Sequence, residues 1–428
     1  MFILCRWRGR YQNPNVKYLL LTLLTTVACA QPGASTQAVK EMNAWLALDR
    51  DKRPALSDSA FAKTPLSKDD ALEVKSALWK DHEAMIRATR SAEMKAKSIE
   101  LNGKVMKFET VDFPAQGPVT PKGRSLFISM HGGGGAPHEV NESQWENQIQ
   151  LSKAYAPQEG IYLAPRAPTD NWNLWHEAHI DSFFDRIIEN LIVLENVNPN
   201  RVYILGYSAG GDGVYQLAPR MADRLAAASM MAGHPNEASP LGLRNVPFAI
   251  QAGGNDSAYT RNELAAEWGK KLDALQKADP NGYQHFTEIY PGKGHWMDLE
   301  DRKAIPWMEK FTRQPLPDKI VWLQDDVTHD RLYWLQVPAA DAAPGQEITA
   351  TRHAQTITLT PGNVRHLTVL LNDAMLDLDQ EVIIHSGDKE IFRGLLPRTA
   401  TTLQRTLSAR GDPDLVFDAE AVIDIPSL

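Results

Sequence analysis

Chemistry can be read first in Gly206-Tyr207-Ser208-Ala209-Gly210-Gly211. The short apolar run Val202 to Leu205 precedes it and a helical segment follows, so a serine stands in a strand-turn-helix context. Such a turn is too tight for side chains two residues either side of the serine, which accounts for Gly206 and Gly210. It lifts the Ser208 hydroxyl out of the sheet, toward a base and a substrate. Upstream, the run Ser125 to Met130 ends in His131-Gly132-Gly133-Gly134-Gly135. Glycines after a buried strand let backbone amides point at a developing oxyanion with no side chain in the way. The expected donors are the N–H groups of Gly133 or Gly134, together with that of Ala209.

A serine hydroxyl needs a base, and the base needs an acid group to orient it. Gly253-Gly254-Asn255-Asp256 follows the run Pro247 to Ala252 and puts Asp256 at the carboxyl end of a strand, where sites of open α/β sheets lie. Glu263 and Glu267 fall on the helix beyond and read as a solvated face. Of the 12 histidines six follow Asp256, and only His295 sits in a glycine-rich loop just past a strand, in Pro291-Gly292-Lys293-Gly294-His295-Trp296. His285 begins that strand, at the opposite end. The expected triad is therefore Ser208, Asp256 and His295, in the chain order serine, acid, histidine.

These groups need a scaffold. From 98 to 315, β-rich runs alternate with helical segments: Ser125 to Met130, Ile161 to Ala164, Val202 to Leu205, Ala227 to Ala232, Pro247 to Ala252 and His285 to Tyr290, with helices such as Asp181 to Asn196 and Arg261 to Ala278 between them. The pattern predicts an α/β domain, a mainly parallel sheet with helices on both faces. Residues 31–97 read as a helical arm, with a capping box at Ser67-Lys68-Asp69-Asp70. After the proline-rich hinge Gln314 to Asp318, residues 316–428 alternate strands and turns, among them Gln355 to Leu359, Leu367 to Leu371 and Glu381 to His385. That spacing predicts a C-terminal all-β sandwich-like domain, with Trp322, Tyr333 and Trp334 in its core.

Residues 98–315 resemble the α/β-hydrolase superfamily, nearest its compact serine esterases and its dienelactone-hydrolase and prolyl-oligopeptidase-like members. The resemblance implies Ser208 as nucleophile, Asp256 as acid and His295 as base, acting on a carboxylic ester through an acyl-enzyme. Dienelactone hydrolases carry cysteine as nucleophile, so serine here argues against lactone specificity. A prolyl-oligopeptidase-type peptidase shares the elbow but has a propeller-length region before the hydrolase domain, which this sequence lacks. A hydrolase fold used only for binding usually lacks a triad member, and none is missing here. The expected substrate is a small-molecule or polymer-borne ester.

Fewer than fifty residues separate the elbow helix from the acid, so no large cap is inserted there. Trp172 and Trp175, on the loop after Ile161 to Ala164, are the residues placed to wall a substrate pocket. Serine chemistry calls for no cofactor and no metal; His176 and His179 with Asp181 are too thin a set for a metal site.

The first thirty residues stand apart. Arg6, Arg8, Arg10 and Lys17 precede the apolar run Tyr18 to Ala28, without one acidic residue. This reads as a signal peptide, its apolar run about half the ~20 residues that cross a bilayer. Thr26-Val27-Ala28-Cys29 resembles a lipoprotein box, and Ala28-Cys29-Ala30 equally an ordinary cleavage site. The expected location is exported: periplasmic, lipid-anchored or secreted, with the membrane reached only through an anchor at Cys29. Both cysteines, Cys5 and Cys29, lie in this leader, so the body holds no disulfide, thiolate nucleophile or cysteine-bound zinc. Loss of the leader's four positive charges takes the net charge from −8 to −12, which argues against nucleic acid as a partner. Nothing in the sequence specifies an oligomeric state.

Overall fold

The computed structural model of the chain describes residues 32–115 and 123–425; the leader and its Cys29 lie outside the described residues. An eight-stranded sheet forms from β1 (Ser98–Leu101), β2 (Lys104–Phe113), β3 (Arg124–Met130), β4 (Gly160–Pro165), β5 (Val197–Tyr207), β6 (Ala227–Met231), β7 (Phe248–Gly253) and β8 (His285–Tyr290). Their spatial order is β1-β2-β4-β3-β5-β6-β7-β8. The pairs β1/β2 and β2/β4 are antiparallel; from β4 to β8 every pair is parallel. This order, with a sharp strand-turn-helix after β5, is the α/β-hydrolase fold.

The apolar runs are nearly continuous because the sheet is covered twice. Along β3, Leu126, Ile128 and Met130 enter one core while Phe127 enters the other; along β5, Val202 and Ile204 part from Tyr203 and Leu205 in the same way. One face meets α4 (His179–Leu194), α5 (Ala209–Arg220) and α6 (Arg261–Ala278), through residues such as Ile187, Val214 and Leu272. The other meets α3 (His138–Leu151) and α7 (Ala304–Met308), through Leu151, Ile305 and Met308. Phe127 stacks on Tyr203 in this second core at 4.7 Å between ring centroids.

Before the sheet, α1 (Pro32–Leu46) and the 29-residue α2 (Lys68–Ala96) form a helical layer. Ser67 caps α2, its hydroxyl accepting the Asp70 N–H at 3.2 Å. Ala71, Val74, Leu78, His82 and Ile86 are its buried stripe. The layer docks on α4 through polar contacts: His82 Nε2 lies 2.8 Å from Glu189 and Arg186 pairs with Glu93 at 2.6 Å. Among the described residues no helix is long and apolar enough to cross a membrane.

The C-terminal part holds β9 (Lys319–Leu323), β10 (Arg331–Leu332), β11 (Leu335–Gln336), β12 (Glu347–His353), β13 (Thr356–Gly362), β14 (His366–Leu371), β15 (Val382–Ser386), β16 (Lys389–Gly394) and β17 (Ala419–Asp424). They make two sheets, β10-β11-β14-β17 and β16-β15-β13-β12-β9. Trp322, Tyr333 and Trp334 are buried, in the same apolar cluster as the α4 side of the large sheet. The all-β expectation needs one correction: α8 (Ala400–Arg410) stands between β16 and β17. Its stops are local ones, a Thr399 cap accepting the Thr402 N–H at 3.2 Å and Gly411 at φ 57° donating to Leu407 O at 2.7 Å.

A knot of buried charge joins these parts. Asp412 lies 2.8 Å from Arg313 and 3.5 Å from Arg224, Arg224 pairs with Asp185 at 2.7 Å, and Arg410 pairs with Asp223. Arg313, Arg224 and Asp412 are almost wholly out of solvent, so each charge depends on its partners.

Candidate active site

Ser208 sits between β5 and α5 at φ 57°, ψ −120°, a conformation most side chains avoid. The surroundings enforce it. A Cβ on Gly206 would stand 2.1 Å from Gly210 O, and one on Gly210 would stand 2.2 Å from Met130 O, so neither glycine can be replaced without moving backbone. The Ser208 N–H is held by Met231 O at the end of β6, at 2.9 Å.

Two other strand ends meet this serine. Asp256, buried just past β7, accepts from His295 Nδ1 at 2.7 Å, and His295 Nε2 lies 2.9 Å from Ser208 Oγ. A carboxylate accepting at Nδ1 assigns the proton there and leaves the Nε2 lone pair facing the hydroxyl. The histidine loop is pinned in turn. A Cβ on Gly253 would meet Gly294 O at 2.0 Å, and Asn255 N–H donates to Lys293 O at 2.8 Å. Tyr207, next to the serine, donates its hydroxyl to His295 O and accepts the Met297 N–H at 3.1 Å. The elbow and the histidine loop are thus tied by one phenol, which sequence reading did not single out.

The glycine loop after β3 is built from below. His131 is fully buried; its Nε2 accepts the Ala167 N–H at 3.1 Å, so Nδ1–H donates to Gly132 O at 2.6 Å. Burial depresses its pKa to about 3, against the raising effect of the Gly132 bond, so the ring is neutral around pH 7. Gly133 and Gly134 take φ 106° and 83°. The Gly134 N–H is already spent, donating to Asn141 Oδ1 at 2.8 Å. This corrects the expectation that either amide is available: only Gly133 remains. Among the described residues neither the Gly133 nor the Ala209 N–H donates a hydrogen bond.

The tryptophan expectation also needs correction. Trp175 is 0 % exposed and lies under the loop, its Nε1–H donating to His131 O at 2.8 Å. Trp172 is 57 % exposed and leans on Tyr259, ring centroids 5.5 Å apart. Neither lines the cleft of about 360 Å³ at Ser208; its aromatic residues are Tyr207 and Trp296, and Gln144 and Asn147 of α3 line it together with Gly132 and Gly133. Trp296 adjoins His295 in sequence, which is a readable signal; α3 carries a weaker one, since Asn141, Gln144 and Gln148 interrupt its inward side. His176 is largely buried, and burial pulls its imidazole down to about 4, while His179 lies 3.5 Å from Glu177. A separate hollow of about 420 Å³ between α2, α4 and α8 is lined by charges such as Arg90, Glu189 and Arg410, which pair with one another or with neighbours.

No family model matches the chain. It is 27 % identical over 163 residues to the "Putative esterase NocK" of Nocardia uniformis subsp. tsuyamanensis, an alignment covering 36 % of this chain and 47 % of that protein. The chain thus spans about half the length of the curated relative it matches. Among solved structures it is similar to a thermostable esterase (TM-score 0.38, 18 % identity, 50 % of this chain and 62 % of the other). It is also similar to a carboxylesterase from Mesorhizobium loti (TM-score 0.35, 16 % identity, 50 % and 99 %) and to a fluorophosphonate-binding serine hydrolase of Staphylococcus aureus (TM-score 0.34, 14 % identity, 49 % and 96 %).

Proposed function

We propose that the chain is a serine hydrolase of carboxylic esters. One observation carries this: Ser208, His295 and Asp256, from three separate strand ends, stand in a continuous relay with contacts of 2.9 and 2.7 Å. His295 takes the hydroxyl proton as Ser208 attacks the carbonyl, and the buried Asp256 stabilises the imidazolium so formed. The oxyanion is received by the Gly133 and Ala209 N–H groups, the latter at the first turn of α5, where unpaired amides and the helix dipole both favour negative charge. His295 returns the proton to the leaving alcohol, and water activated by the same imidazole releases the acid. No step calls for a cofactor or metal. The esterase description of the partial relative supports an ester over a peptide.

The test is a fluorophosphonate probe with an ester panel. Labelling should map to Ser208 and vanish in Ser208→Ala. Ser208→Ala and His295→Ala should each cost several orders of magnitude in kcat, and the double variant no more than either alone. Labelling that survives Ser208→Ala would remove the assignment.

A further inference from the structure

In the wall of the cleft that α3 supplies, the amides Gln144, Asn147 and Gln148 stand between Val140 and Leu151. Asn141, Gln144 and Gln148 recur at spacings of three and four, the face where a surface helix normally carries apolar residues. Two of the three are committed to the protein. Asn141 holds the Gly134 N–H, and Gln148 donates to Ser129 Oγ at 2.6 Å. Gln144, half-buried between them, makes no side-chain hydrogen bond among the described residues. A Cβ placed on Gly132 would lie 3.2 Å from Gln144 Oε1 and 3.2 Å from Ser208 Cβ, so this amide stands one glycine's width from the nucleophile. Opposite, Trp296 is 45 % exposed and tilts against Tyr207, ring centroids 5.6 Å apart. Asn147 adds a second amide, and no Asp, Glu, Lys or Arg is among the residues lining the cleft.

We infer that this cleft selects an uncharged, hydroxyl-bearing ester, with Gln144 hydrogen-bonding a substrate hydroxyl beside the reacting carbonyl and Trp296 covering its C–H face. The inference rests on Ser208 being the nucleophile of an ester hydrolase. An amide both donates and accepts, which matches a hydroxyl. A charged substrate would find no counter-charge here. The indole supplies flat apolar area that a compact polyol or hydroxyacyl group can cover. A purely apolar acyl group would instead leave the Gln144 amide desolvated without a partner.

The hydroxyl can belong to the acyl or to the alcohol part, and two substrate pairs separate these. Methyl lactate against methyl isobutyrate tests the acyl side, and 6-O-acetylglucose against cyclohexylmethyl acetate tests the alcohol side. Each kcat/KM is divided by that ester's own hydroxide-catalysed rate. The hydroxylated member of one pair should be preferred by about five-fold or more, the worth of one net hydrogen bond, and the preference should collapse toward unity in Gln144→Leu. Ester hydrolysis with Ser208 labelled but no preference in either pair overturns the inference and leaves the esterase reading standing. A preference that persists in Gln144→Leu overturns the role of Gln144. Absence of both labelling and hydrolysis in the parent protein overturns the esterase reading, and this inference with it.

Discussion

Replacing Tyr207 by phenylalanine should damage catalysis without touching the triad. The phenol stands between two backbone groups of the histidine loop, donating to His295 O and accepting the Met297 N–H at 3.1 Å, and both Tyr207 and Met297 are buried. Phenylalanine keeps the ring and its edge contact with His295, centroids 5.9 Å apart, and removes only the hydroxyl. A part-buried carbonyl and a buried N–H then lose their partner, the N–H at about 1–3 kcal/mol and the carbonyl at less, if the loop stays where it is. The loop can relieve this cost by moving, and with it goes the imidazole now 2.9 Å from Ser208 Oγ. A displacement near 1 Å at such a site costs about 100-fold in rate, so kcat should fall roughly 10- to 100-fold, with KM little changed. The assay is steady-state ester hydrolysis normalised to sites counted by fluorophosphonate labelling carried to completion, which separates slower turnover from fewer folded molecules. A kcat per labelled site within about twofold of the parent would refute the argument.

Gly133→Ala should cost about 100-fold in kcat, the worth of one oxyanion donor, because a Cβ there would stand 2.1 Å from Asn141 Oδ1 on a backbone at φ 106°; near-parental kcat would show that the Gly133 amide is not used. Asp212 gives a pH prediction. Burial raises its carboxyl from an ordinary 3.8 to about 6, so folding favours the protonated form; the stability it contributes is full below pH 4 and is lost as pH rises through 6. Asp212→Asn keeps an acceptor for the His234 N–H, now at 2.6 Å, with no charge to bury. It should match the parent near pH 4 and exceed it near pH 8 by on the order of 2 kcal/mol in thermal or urea unfolding; an equal difference at both pH values would sink the idea.

The parts of the fold that were legible share a cause. Strands β3, β4, β6, β7 and the second half of β5 are buried almost throughout, so they read as near-continuous apolar runs, while the half-buried edge strand β8 is legible through its aromatic and β-branched residues. The serine, acid and histidine follow the ends of β5, β7 and β8. The hairpin β1–β2 alternates weakly between buried and exposed residues and carries no comparable signal. Helix α3 is hard to read because Asn141, Gln144 and Gln148 break the apolar period that Trp145, Ile149 and Leu151 carry into the core. Helix α8 has a readable cap and stop, yet its buried stripe includes Thr402, Thr406 and Arg410, which blur the apolar period. The Gly134 amide could not be told from that of Gly133, since only the fold aims the Gly134 N–H, and not that of Gly133, at Asn141 Oδ1. Trp175 was misread for the same reason: a loop tryptophan becomes core only when the His131 carbonyl is above it.

The knot around Asp412 also sets an order of assembly. Arg224 and Asp412 are separated by 188 positions, and Arg410 and Asp223 by 187. The charged pair just past the elbow helix, Asp223 and Arg224, thus draws opposite charges from a distant stretch of chain, in addition to the Asp185 that Arg224 meets at 2.7 Å. Contacts of such long sequence separation close late, after the entropy of a large loop has been lost. Until then Arg224 and Arg313, which have almost no solvent exposure in the finished fold, must stay hydrated, and the surface that will cover them must stay open. The large sheet can therefore pair its strands before the charges beside α4 and α5 are covered. Residues 98–315 and the C-terminal part are expected to unfold in a single cooperative transition, and the first to be poorly stable when expressed without the second.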